Sequence, residues 1–78
     1  MLTGVQIKAA RTALKWSADV LASRSDIASK TVRRIETSDG IPNTTAATLS
    51  KIQAALEAAG IEFIGTPGDG PGIRVRQP

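Results

Sequence analysis

A mainly α fold, about four short helices closed by a C-terminal β-hairpin, is what this chain of 78 residues predicts. Three observations carry that expectation. Apolar residues recur at helical spacing through most of the first 60 positions. Capping residues and Gly or Pro punctuation divide that region into segments of helix length. After Gly60 the pattern changes to two β-leaning runs, Ile61-Glu62-Phe63-Ile64 and Ile73-Arg74-Val75-Arg76. The organisation that follows is a helical domain over residues 1–60 and a hairpin over 61–78.

The first helix starts at Thr3, an N-cap with Gln6 three residues later as its capping-box partner. Leu2 and Ile7 occupy the staple positions that flank the cap, and the helix runs to about Leu14. Ile7, Ala10 and Leu14 form its inward stripe, with Lys8, Arg11 and Lys15 on other faces. Ser17 caps the second helix, Asp19 suits the positive end of its dipole, and Trp16 and Leu21 form another staple. For Trp16 a packing role at the edge of the core is the expectation. A turn is expected at Arg24, Ser25 and Asp26.

The third helix spans roughly Ala28 to Thr37. Ala28 offers no side-chain acceptor, so Ser29 is the candidate cap one residue later. Leu21, Ala22, Ile27, Val32 and Ile35 suit the inward faces of two helices packed across a tight turn. Ser29, Lys30, Thr31, Arg33 and Arg34 fall on the outward side, and a basic, hydroxyl-rich helix so presented suits a DNA major groove.

Ser38-Asp39-Gly40-Ile41-Pro42 reads as a loop. The fourth helix is expected from an Asn43 or Thr44 cap to Ala59, with Leu49, Ile52 and Leu56 inward and Gly60 in the left-handed position that ends it. The stretch GTPGDGPG between the two β-leaning runs reads as loop throughout. Its glycines resemble a phosphate cradle only superficially, because such a cradle opens a helix and here a second strand follows.

Composition narrows the function. There is no cysteine and no histidine, so disulfides, thiolate metal sites and the commonest general base are missing, and no cofactor, metal site or catalytic residue is expected. No acid–base pair or nucleophile is assembled, so the chain does not read as an enzyme. One Trp, one Phe and no Tyr leave little for stacking single-stranded bases. No apolar run reaches membrane length and no leader opens the chain, so a cytoplasmic protein with no membrane partner is expected. Residues 1–36 carry a net charge of +4 and residues 37–78 a net charge of −1. The helix pair therefore lies in the basic half, which suits a polyanion.

On these residues the chain resembles the Cro and lambda-repressor-like helix-turn-helix proteins, the XRE family. The matching positions are Arg11 in IKAARTAL, Trp16-Ser17, Leu21-Ala22, Ile27 and Thr31-Val32-Arg33-Arg34-Ile35-Glu36. LSKIQAALEAAGIEF and the closing GPGIRVR look like a short bacterial version of the family. Departures from the pattern are Asp26 in place of a turn glycine, Ala28 in place of a Ser or Thr cap, and Ala18 in place of a frequent glutamine that touches the DNA backbone.

The resemblance implies a DNA-binding transcriptional regulator, a repressor acting as a homodimer on double-stranded DNA. It places Ser29, Lys30 and Arg34 at base-reading positions, with Thr31 and Arg33 beside them, and Ser17 at a phosphate-contacting one. It also implies a partly buried structural ion pair between Arg11 and Glu36. The hairpin is the expected dimerisation element, since its free strand edge could pair with a second copy. The alternative reading is an antitoxin or adaptor that mainly grips a toxin or other partner protein.

Overall fold

The computed structural model describes residues 2–38, 40–66 and 68–76. Asp39 and Pro67, both read above as loop residues, lie outside the described residues, as do Met1 and the last two residues of the 61–78 segment. Four helices, α1 (Gly4–Ala13), α2 (Ala18–Ser25), α3 (Ser29–Glu36) and α4 (Ala46–Ala58), are followed by strands β1 (Ile61–Thr66) and β2 (Asp69–Val75). The strands form one antiparallel two-stranded sheet. No helix among the described residues is long and apolar enough to cross a membrane.

The core draws on every helix. Ile7 and Ala10 come from α1, Leu21 and Ala22 from α2, Val32 and Ile35 from α3, and Leu49, Ile52 and Leu56 from α4. Burying each of the larger side chains contributes about 1.5–3 kcal/mol, so no single helix supplies the fold. Ile61 is also in the core, and Phe63 and Ile73, opposite one another in the sheet, pack against it. The hairpin is therefore continuous with the helical core.

Local signals set most boundaries. The Thr3 side chain accepts from the Gln6 amide and Gln6 Oε1 accepts from the Thr3 amide, closing the capping box. The amide group of Gln6 also donates to the carbonyls of Ile64 (3.2 Å) and Gly72 (2.9 Å), tying α1 to both strands. Ser17 caps α2 through the Val20 amide. Both α1 and α2 end in Schellman turns: Trp16 N–H donates to Arg11 C=O and Ile27 N–H to Ala22 C=O, with Lys15 and Asp26 in the left-handed region at φ 60° and 59°.

Four expectations need correction. The turn expected at Arg24, Ser25 and Asp26 falls later: Arg24 and Ser25 belong to α2, and Asp26, Ile27 and Ala28 link it to α3. Ser29 does not cap α3. Ala28 is the N-cap, extended at φ −64° and ψ 140° with no side-chain bond, and its carbonyl already accepts from Val32 N–H. The bond from Ile27 back to Ala22 closes the turn there, so the tertiary turn, not the best available cap, sets where α3 begins. Nor do Asn43 or Thr44 cap α4. Thr44 N–H donates to the carbonyl of buried Pro42, which holds 42–44 in a turn, and Thr45 receives the Thr48 amide instead. Finally, GTPGDGPG is mostly strand. Gly65 and Gly70 adopt φ of 75° and 65°, and a side chain on Gly65 would strike the Gly70 carbonyl. These glycines let pairing continue to Thr66·Asp69 through an irregularity between Ile64 and Thr66.

Among the described residues the outer edge of β2 pairs with no further strand. Arg76 N–H donates to Gly60 C=O at 2.7 Å, continuing the register in which Glu62 faces Arg74 and Ile64 faces Gly72. Even-numbered pairs are therefore the hydrogen-bonded ones, and the backbone groups of Ile73 and Val75 point away from β1. Val75 is 44% exposed.

Candidate nucleic-acid interface

α2 and α3 are separated by Asp26, Ile27 and Ala28 and bury Leu21, Ala22, Val32 and Ile35 toward one another and the other helices. Of its eight residues α3 buries Val32 and Ile35 in the core and holds the Glu36 side chain in an ion pair with Arg11, which leaves its cations on the outward side. Lys30, Arg33 and Arg34 are exposed, and Ser29 and Thr31 are half-buried beside them. The structure thus gathers all five α3 residues singled out in the sequence onto one short element. Ser17, exposed at the start of α2, uses its oxygen to cap Val20 and keeps its hydroxyl proton for an outside acceptor.

The three cations on α3 are not equivalent. Arg34 donates to the Asn43 carbonyl at 2.9 Å, in the segment leading to α4. Arg33 forms an ion pair with Asp19 at 2.8 Å, reaching from α3 to the first turn of α2. The Lys30 side chain makes no hydrogen bond or ion pair among the described residues. At the other end of the helix pair, Arg24 lies over the Trp16 ring at 4.7 Å from its centroid.

Beneath this surface, Arg11 and Glu36 form a two-point ion pair: Nε to Oε2 at 2.7 Å and Nη2 to Oε1 at 2.8 Å. Arg11 Nη1 also donates to the Trp16 carbonyl at 3.0 Å, immediately before the α2 cap. One guanidinium therefore joins α1, the start of α2 and the end of α3. Its side chain is 17% exposed and that of Glu36 only 7%. The hydrogen bond to Glu36 raises the Arg11 pKa, burial opposes this, and the Glu36 charge adds to the rise. Water has little access to weaken the pair, so it fixes geometry rather than decorating a surface.

Sequence reasoning missed three participants. Gly4 lies where a side chain would strike the carbonyls of Ile35 and Ser38, so α1 sits directly on the end of α3. Asp19 and Asn43 engage Arg33 and Arg34 across separations of 14 and 9 residues, which no local pattern announces. Arg74 and Arg76 belong to the C-terminal hairpin segment, where both hold Glu62 Oε1. No group of three or more His, Cys, Asp or Glu among the described residues could hold a metal ion. No protein-family model matches the chain, and no curated protein matches it either.

Proposed function

We propose that this protein is a sequence-specific, double-stranded-DNA-binding transcriptional regulator of the lambda-repressor-like helix-turn-helix type, acting as a repressor. In this reading α2, the turn at Asp26–Ala28 and α3 are the helix-turn-helix, and α3 enters the major groove. The observation that carries it is the arrangement of α3: an eight-residue helix anchored by Val32 and Ile35 that presents Lys30, Arg33 and Arg34 to solvent. Lys30 and Arg34, with Ser29, supply donors for the guanine N7 and O6 edges. Ser17 and Arg33 supply phosphate contacts that set register without reading sequence. Arg11 and Glu36 hold the angle of the probe.

One copy spans at most 29 Å, whereas two adjacent half-sites lie ~34 Å apart. A palindromic operator therefore calls for two copies. The outward backbone of β2 at Ile73 and Val75 supports pairing across a two-fold axis. In that dimer, arginines avoid facing one another when Ile73 pairs with its own copy, which sets Arg74 opposite Gly72. The test is selection of bound sequences from random duplex DNA. Enrichment of a symmetric motif is expected, and recovery of no motif overturns the reading.

A second reading, an antitoxin or adaptor for a partner protein, draws support from one feature. An open groove of about 710 Å3 on α1 is lined by Val5, Lys8, Ala9, Thr12, Ala13 and Glu36, and Val5 is 57% exposed. Failure of the DNA selection would favour it.

A further inference from the structure

Asp19 is the one acid that touches the exposed cations of α3 among the described residues. Its carboxylate stands in the first turn of α2, two residues after Ser17, and accepts from Arg33 Nη2 at 2.8 Å. The side chains are 66% and 60% exposed, so the contact contributes little to folding and is open to exchange with solutes. A carboxylate and a phosphate oxygen offer a guanidinium the same charge and the same acceptor geometry. The N-terminal turn of a helix also favours either anion. We propose that Asp19 stands in for a DNA phosphate: it occupies Arg33 in the free protein and lowers affinity for duplex DNA of every sequence. This rests on the DNA-binding reading above and adds a residue that the reading does not contain.

The chemistry makes the effect uniform. Arg33 freed from Asp19 gains a backbone contact, which carries no base information. Removing the acid should therefore raise specific and random binding by the same factor and leave their ratio alone. It should also release a further counterion on binding, steepening the salt dependence.

The test compares wild-type protein with Asp19→Asn, Asp19→Glu and Arg33→Gln, using a labelled random-sequence duplex and the selected operator over a range of salt. Asp19→Asn is expected to bind both duplexes roughly 1.5- to 5-fold more tightly, the equilibrium equivalent of releasing an exposed ion pair. Its plot of log affinity against log salt is expected to steepen by ~0.9, one phosphate's worth. Asp19→Glu keeps the charge and is expected to retain the wild-type slope. In the Arg33→Gln background the Asn substitution is expected to lose most of its gain. Unfolding midpoints measured alongside show whether each variant is folded at the assay temperature. If wild-type protein binds duplex DNA while Asp19→Asn shows unchanged or weaker affinity and an unchanged slope, the proposed competition is overturned and the DNA reading stands. If neither protein binds duplex DNA at low salt, the DNA reading fails and the competition with it.

Discussion

Glu36→Gln should loosen the attachment of α3 to α1 more than any change on the exposed surface. Gln preserves the shape and one acceptor, so Arg11 retains a hydrogen bond and its link to the Trp16 carbonyl. What is lost is the negative charge facing a guanidinium that is only 17% exposed. Breaking a fully buried pair from one side costs ~3–5 kcal/mol. The retained acceptor and the remaining access of Arg11 to water bring this to about 2–3 kcal/mol. For a domain of this size that corresponds to a fall in melting temperature of roughly 10–20 °C. Urea unfolding followed by the fluorescence of Trp16, the one tryptophan, reads the effect at the site, because Trp16 carries the third contact of Arg11. A cycle of Arg11→Met, Glu36→Gln and the double variant separates the pair from its surroundings. The double variant should be more stable than the sum of the single losses implies, by at least ~1.5 kcal/mol. Coupling below about 0.5 kcal/mol would refute the claim that the pair holds α3, since that is the size expected of unrelated sites.

Other outcomes follow from single residues. Asp26→Gly and Lys15→Gly should each stabilise the protein by about 0.5–1 kcal/mol in urea unfolding, because both residues hold left-handed backbone that glycine adopts without strain. Destabilisation by either would mean that its side chain does more than the left-handed turn requires. Gly4→Ala should cost about 1–3 kcal/mol, since its methyl group would strike the carbonyls of Ile35 and Ser38; unchanged stability would show that α1 can move off the end of α3 freely. The hydrogen bond from Arg76 lowers the Glu62 pKa, burial opposes this, and the charges of Arg76 and Arg74 add to the lowering. A depressed folded-state value means that this carboxylate favours folding above the ordinary Glu pKa of ~4.3 and ceases to do so as pH falls through the folded value. The stability difference between wild-type protein and Glu62→Gln should therefore shrink on acidification from neutral pH to below about 4, and a constant difference would remove the hairpin ion pairs from that account.

Boundaries were legible in the sequence where they depend on a few neighbouring residues. Thr3 and Gln6 announce the start of α1 because both halves of the capping box lie within one turn. Gly60 announces the end of α4 in the same way, with φ of 101°. Asp26 stands where the family resemblance expects a turn glycine, and it adopts the left-handed backbone that such a glycine would take. α4 starts beyond its expected caps because the Pro42–Thr44 turn outside the helix decides it. α3 starts after Ala28, where the resemblance puts the cap, because the Ile27–Ala22 bond closes the turn there, and not after Ser29, the better side-chain acceptor. A search for the best nearby cap sees neither. The hairpin was read too short because glycine and proline count as punctuation, whereas Gly65 and Gly70 here serve a bulged but continuous ladder. Arg11 and Glu36 came together only through the family resemblance. Their separation of 25 residues carries no periodic signal, and the same holds for Arg33 with Asp19.

These placements leave α3 unevenly held. Its C-terminal end is fixed by the Arg11–Glu36 pair, by close seating of Gly4 against the Ile35 carbonyl, and by the Arg34 contact to Asn43. Its N-terminal end has an alanine at the cap, and the amides of Ser29, Lys30 and Thr31 precede its first backbone bond, from Val32 to Ala28. An Ala in place of Ser at such a position forgoes ~1 kcal/mol. Ser29 and Lys30, the residues proposed to meet bases first, thus stand at the end that the fold secures least. Three amide donors and the positive end of the helix dipole are then available to a phosphate without displacing a side-chain cap. A Ser at position 28 would secure the helix start in the free protein but engage one of those donors. In the DNA-binding reading proposed above, the alanine would exchange stability of the isolated helix for donors left open to a phosphate.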